Sequence, residues 1–164
     1  MTDERSDLIS TLAKHRGFLR QTVLGLTDEQ AALAPTASTL CLGGLIKHVC
    51  ATEAQWMRFI TEGPAAFGGA GNVEGYLEGF RMMPGDTLES VLAEYQRQAA
   101  RTDELIGALP SLDADHPLPE APWFEPGARW SARRTLLHIL AETAQHAGHA
   151  DIIRESLDGA KTMG

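Results

Sequence analysis

The segment HILAETAQHAGHAD, from His138 to Asp151, concentrates side chains that can bind a metal ion. It holds three of the six histidines of the chain, together with a glutamate, among many alanines. Glu142 and His146 are four residues apart, so on an α-helix they lie on one face about a turn from each other. A carboxylate oxygen and an imidazole nitrogen placed in this way can bind the same ion, as in the metal sites of helical bundles.

Two ligands are too few for such a site, so a third must come from another helix. The best candidate is His48, in the segment LGGLIKHVCATEAQW. At helical spacing it lies beside Leu45, Val49 and Thr52, which are expected to face the core. From spacing alone, a buried histidine with a purely structural role is an equally good interpretation of this residue.

The spacing in the last helix also leaves two other interpretations open. In one, His138 and Glu142 are the ligand pair and His146 lies outside the site. In the other, Glu142 and His146 form an exposed helical pair that contributes only about 0.3–0.5 kcal/mol. The residue types by themselves do not choose among these alternatives.

Hydrophobic spacing predicts the helices that must position these side chains. Four long helices are expected, over residues 6–26, 42–62, 86–109 and 131–157. Ser6 is expected to cap the first, and Asp86 with Glu89 is expected to form a capping box at the third. Thr27 with Gln30 predicts a further capping box, at a short turn of helix.

The connections between the long helices are rich in glycine and proline. Residues 63–85 are interrupted too often for one helix, although EGYLEGF at 74–80 is expected to form a short one. Four prolines follow within 111–130, and no convincing strand pattern is found. The predicted fold is therefore all-α, a four-helix bundle with long connections that forms a single domain over residues 1–164.

Composition narrows the classes of partner. The formal net charge of −8 argues against a nucleic acid, whose phosphates require clustered Lys and Arg. No apolar run approaches the roughly 20 residues of a membrane span, and MTDERSDLIS lacks the apolar stretch of a secretory signal. Cys41 and Cys50, nine residues apart along a helix, are about 13 Å from each other and too distant for a disulfide. We expect a cytoplasmic protein with reduced thiols and a small-molecule substrate.

Two segments resemble a known family. RWSARRTLLHILAETAQHAGHADIIRESLDGA and TLCLGGLIKHVCATEAQWM are similar to the DinB superfamily of metal-binding four-helix bundles, in particular to the branch related to mycothiol-dependent maleylpyruvate isomerase. The resemblance extends over essentially the whole chain. It implies a divalent metal bound by His48 from the second helix and by Glu142 and His146 from the last. Many superfamily members have histidine where Glu142 stands, whereas the mycothiol-dependent branch has glutamate.

The ligand set implied by the resemblance suits several ions. Two imidazoles and one carboxylate match the protein ligands of catalytic zinc sites, which keep one position open for water or substrate. The same set suits Ni²⁺, Fe²⁺ or Mn²⁺, because selectivity depends on geometry and supply as much as on affinity. Zinc is therefore the first candidate among the divalent metals.

The resemblance also implies an activity. The metal would stabilise the thiolate of a low-molecular-weight thiol such as mycothiol, and the protein would be a thiol S-transferase or isomerase acting on a small electrophile. The alternatives are a metal-dependent hydrolase that uses metal-bound water, and a non-catalytic metal- or small-molecule-binding stress protein. Bundles of this size often dimerise, so a homodimer is also expected.

The remaining candidate residues surround the implied metal site. His149 is a candidate acid or base, or else a group that orients a ligand. A polar residue that only packs near the end of the bundle is an equally good interpretation of His149. His138 is expected to have a structural or orienting role. The three tryptophans, Trp56, Trp123 and Trp130, are candidates for the lining of a pocket.

Overall fold

A computed structural model describes residues 3–67 and 77–162 of the chain. The long helices in this part confirm the all-α prediction. The elements are α1 (Glu4–Gln21), α2 (Asp28–Ala32), α3 (Leu42–Glu62), a 3₁₀ helix (Gly63–Phe67), α4 (Leu88–Ala108), β1 (Asp115–Pro117), β2 (Arg129–Ser131) and α5 (Ala132–Asp158). The short helix predicted at 74–80 lies partly outside the described residues.

The four long helices pack side by side. α3 contacts α5 and α4, and α1 contacts the same two helices from the other side. The core has two groups of buried side chains along the bundle, one around Leu45 and Tyr95 and the other around Phe59 and Ile139. Because α3 and α5 are direct neighbours, the helices that carry the candidate ligands face each other. None of the described helices is long and apolar enough to cross a membrane.

The first long helix begins earlier than predicted. Asp3, and not Ser6, is its N-cap, and the Asp3 carboxylate accepts a hydrogen bond of 3.0 Å from the backbone N–H of Ser6. Both residue types favour this position, so local sequence alone does not separate them. The capping box of Thr27 with Gln30 is confirmed.

The cap predicted for the third long helix is also wrong. Its N-cap is Thr87, whose hydroxyl accepts from the backbone N–H of Ser90 in a capping box. Asp86 has different partners: it forms an ion pair with Lys47 and accepts a 2.8 Å hydrogen bond from the backbone N–H of Met83. A partner on α3 therefore determines the role of Asp86.

The connection between α4 and α5 contains a short hairpin. The expectation that no strand forms there is therefore wrong. β1 and β2 pair antiparallel, with His116 opposite Trp130. Strands of three residues are too short to show a readable alternation. A nitrogen of His116, Nε2, lies 3.2 Å from the carbonyl oxygen of Ile60, which anchors the hairpin to the end of α3.

Two glycines near the start of α3 allow the segment that follows residue 76 to pack closely against it. A Cβ atom on Gly44 would lie 1.9 Å from the carbonyl oxygen of Phe80, and a Cβ atom on Gly43 would meet the side chain of Met82. The thiol of Cys41 and the ammonium of Lys47 also hydrogen-bond to backbone carbonyls of this segment. The contacts fix Phe80 against α3.

Replacing Gly44 by alanine is expected to lower the free energy of unfolding by about 3 kcal/mol, because the new methyl group meets backbone that must move as a unit. Denaturant unfolding of the two proteins measures the difference. Gly17→Ala in α1 is the matched control, since a Cβ atom there meets nothing within 4 Å. That change is expected to stabilise the protein by about 0.5–1 kcal/mol. An equal effect of both substitutions would contradict the proposed close contact.

Candidate metal centre

Three side chains with metal-binding atoms meet between α3 and α5. One ligand atom each from His48, Glu142 and His146 lies within 4.8 Å of the other two. The Oε2 atom of Glu142 is 3.6 Å from Nε2 of His146 and 4.0 Å from Nε2 of His48. Atoms bound at 2.0–2.1 Å to one tetrahedral ion are about 3.3 Å apart. The two pairs that include Glu142 are within about 1 Å of that spacing, so the donor set fits a divalent ion.

Burial favours the neutral form of the two imidazoles in this cluster. The side chains of His48 and His146 are only 11% and 13% exposed. Burial lowers the pKa of His48 to about 4, and the neighbouring His146 adds to the shift. Burial also lowers the pKa of His146, against the opposing effect of Glu142. A neutral imidazole has the free nitrogen lone pair that a metal ligand requires.

The aromatic ring of Phe80 covers one side of the cluster. It stacks on His48 with 3.8 Å between the ring centroids and 20° between the planes, and it lies 6.1 Å from the ring of His146. Phe80 excludes water from this side and restricts the orientation of the His48 ring. The sequence analysis missed Phe80. The one available signal was the Gly43-Gly44 pair, a sequence feature typical of close backbone approach.

His149 contacts His146 on the side of the ring that faces away from Glu142. Its Nδ1 atom is 3.3 Å from Nδ1 of His146, whereas Nε2 of His146 faces Glu142. One of the two nitrogens must carry the proton. If Nε2 of His146 is kept free as a ligand atom, its Nδ1 is protonated and donates to His149. The ring nitrogen of His149 in this contact is therefore on the far side of His146 from the centre of the cluster.

His138 is outside the cluster, although it shares the last helix with it. Its ring makes edge contacts with Trp56 and Trp130, at centroid distances of 4.7 and 5.1 Å. Burial lowers the pKa of His138 as well. Among the described residues, His138 does not belong to any group of side chains that could hold an ion. The low exposure of His146 likewise disfavours the interpretation as a solvated surface pair.

The three tryptophans have different environments. Trp56 and Trp130 stack on each other with 5.0 Å between centroids, and Trp56 is buried in the core. The guanidinium of Arg134 lies over the ring of Trp130, at 4.8 Å. Trp123 is 77% exposed. None of the three is among the described residues that line the groove at His48.

A groove with a volume of about 420 Å³ opens at His48. Thr52, one helical turn further along α3, lines it, and the Thr52 hydroxyl lies 3.4 Å from Nε2 of His48. The groove continues along α3 past Gln55 to Arg58. A small molecule bound in it would therefore have one end beside the candidate metal ligand.

Comparison with known proteins gives a match to a family model. The model of the family described as mycothiol-S-transferase matches residues 7–159, a range that includes the three clustered residues and all of the long helices except the first turn of α1. No curated protein matches the chain. The match confirms the resemblance to the mycothiol-related branch of the DinB superfamily. The chain belongs to the mycothiol-S-transferase family.

Proposed function

We propose that this protein joins mycothiol, through its sulfur atom, to a small electrophile, with a divalent metal ion bound by His48, Glu142 and His146. The observation that supports the metal site is the convergence of three donor atoms within 4.8 Å between α3 and α5. Membership in the mycothiol-S-transferase family supports the thiol and the transfer. Zinc is the first ion to test, and nickel, iron and manganese are the others.

Each residue of the candidate site would make a different contribution to the reaction. His48 and His146 offer neutral nitrogens and Glu142 offers one negative charge, so a divalent ion bound there would keep a net positive charge. Such an ion would supply the electrostatic stabilisation that favours thiolate over thiol. Phe80 restricts water on one side. The new bond joins the thiol sulfur to carbon of the electrophile, the leaving group departs with its electron pair, and the thiol proton passes to solvent.

The function is tested by metal analysis combined with a transfer assay. The protein is purified without an affinity tag, its metal content is measured by elemental analysis, and its reaction with mycothiol and a small chlorinated aromatic electrophile is followed. We expect about one divalent ion per chain and a transfer rate that disappears on chelation. A protein that takes up no zinc, nickel, iron or manganese refutes the metal site. A metal-loaded protein without transfer refutes the activity.

We further propose that His149 orients His146 and is not itself the acid or base. Replacing His149 by alanine is expected to weaken metal binding about 10- to 100-fold without abolishing it, because the hydrogen bond behind the ligand is lost. Competition with a chromophoric chelator measures the affinity. His15→Ala is the control, since His15 is on α1 and its ring packs against Phe18. If metal affinity is unchanged in His149→Ala while the pH profile of transfer loses one limb, His149 is an acid or base instead.

A further inference from the structure

The groove at His48 is large enough to hold a small cofactor along α3. Thr52, Gln55 and Arg58 follow His48 at spacings of four, three and three residues, so the polar side chains form one stripe on the helix. Ten residues at 1.5 Å each make this stripe about 15 Å long. The volume of about 420 Å³ is within the usual range for small-molecule sites.

The described side chains that line the groove provide hydrogen bonds without net charge. Arg58 is the one permanently charged side chain among them, and Glu62 compensates it. The guanidinium donates to both carboxylate oxygens of Glu62, at 2.9 Å in the shortest contact. Thr52 and Gln55 are uncharged. Each of them has a donor and an acceptor.

The rest of the described lining is small and largely apolar. It consists of Ala51, Ala54, Ala66 and Gly79. Carboxylates and phosphates are bound best by an arginine that is free to pair with them, which this one is not. A hydroxyl group both donates and accepts, and the C–H face of a sugar or cyclitol packs well on alanine side chains. The lining therefore suits an uncharged, hydroxyl-rich molecule better than an anion.

We propose that this groove binds the neutral, hydroxyl-rich body of the thiol co-substrate, with the sulfur at the His48 end and the hydroxyl groups at Gln55 and Arg58. The placement of the sulfur rests on the proposed function. The Arg58–Glu62 pair then determines specificity, because it offers hydrogen bonds to an uncharged thiol and no free positive charge to an anionic one. Mycothiol, a neutral thiol carried on a sugar and a cyclitol, has this chemistry.

The first test removes the polar groups at the distal end of the groove. In Gln55→Ala/Arg58→Ala, the KM for mycothiol is expected to rise about tenfold while kcat changes less than about twofold, because contacts remote from the sulfur are lost. Arg97→Ala is the matched control: Arg97 forms a similar exposed pair with Glu94 on α4, with 2.6 Å between the charged atoms. An unchanged KM in the double variant overturns the inference.

The second test changes the charge of the Arg58–Glu62 pair and keeps the shape of the groove. In Glu62→Gln, Arg58 loses its compensating carboxylate. The ratio of kcat/KM for glutathione, which carries a net negative charge, to kcat/KM for mycothiol is expected to rise about fivefold or more. A ratio that stays the same contradicts a role of the Arg58–Glu62 pair in specificity.

A binding measurement separates this inference from the proposed function. S-methylated mycothiol, which cannot react, is titrated calorimetrically into metal-free protein. We expect binding that weakens about tenfold in Gln55→Ala/Arg58→Ala and is unchanged in Arg97→Ala. If the metal-free protein shows this binding and the metal-loaded protein has no transfer activity, the groove is supported and the proposed function is refuted. An active protein with no such binding, or with binding equal in all variants, overturns the groove and leaves the function intact.

Discussion

Replacing His146 by alanine is expected to reduce the metal content of the purified protein from about one ion per chain to less than about a tenth of that value. The imidazole of His146 is one of only three donors that the described residues bring together, and its Nε2 atom is the one nearest to Glu142. Two remaining donors hold a divalent ion weakly, so dialysis removes it. Elemental analysis after dialysis measures the loss, and transfer of mycothiol is expected to fall to the uncatalysed rate.

His138→Ala is the matched control for this experiment. His138 is on the same helix and two turns from His146, and its ring makes edge contacts with Trp56 and Trp130 without joining the cluster. The His138→Ala variant is expected to keep about one ion per chain and to differ in stability only. Loss of the metal in His138→Ala, with retention in His146→Ala, would establish His138 and Glu142 as the ligand pair. Circular dichroism of both metal-free variants verifies that the helices are intact.

The helices were predictable because their signals are local. The apolar spacing that predicts 42–62 reproduces α3, and the cap at Ser131 and the glycine at 159 enclose α5. The error at Asp86 occurs because a distant partner decides its role. Asp86 is as good a cap as Thr87 by residue type, and its pairing with Lys47 on α3 depends on how the helices pack.

Part of the candidate site was predictable from the sequence for the same reason. Glu142 and His146 are on one helix, so their spacing alone brings them together, and the direct packing of α3 on α5 adds His48. Phe80 reaches His48 from a segment 32 residues further along the chain, through contacts with the glycines of α3. No local pattern around Phe80 indicates this position. The contact behind His146 depends on rotamers that sequence spacing does not specify.

A buried ion pair in the bundle core also escaped the sequence analysis. Arg16 on α1 stands in a charged stretch, yet its side chain is 5% exposed and hydrogen-bonds to both carboxylate oxygens of Glu53 on α3, at 2.6 and 3.1 Å. Asp103 on α4 accepts a further bond from Arg16, at 2.9 Å. Burial acts to lower the pKa of Arg16, but the two carboxylates outweigh it and raise the pKa overall. Arg16, Glu53 and Asp103 thus connect three of the four long helices.

Replacing Glu53 by glutamine is expected to lower the free energy of unfolding by about 3 kcal/mol, as typically found when one partner of a buried ion pair is removed. The substitution keeps the volume and removes the charge that faces Arg16. Asp103 remains as a carboxylate partner, which places the expected loss near the lower end of the range. Urea unfolding in the presence of a chelator measures the effect free of any contribution from metal binding. A loss of this size is a large part of the stability of an ordinary domain.

Two further variants determine whether the unpaired charge causes that loss. Glu94→Gln breaks the exposed pair with Arg97 on α4 and is expected to cost less than about 1 kcal/mol, because solvent already screens that pair. Arg16→Met/Glu53→Met removes both buried charges and is expected to recover most of the stability lost in Glu53→Gln, because apolar side chains of similar length fill the site. If the double variant is less stable than Glu53→Gln, the stabilisation comes from the ion pair itself and not from avoiding a lone buried arginine.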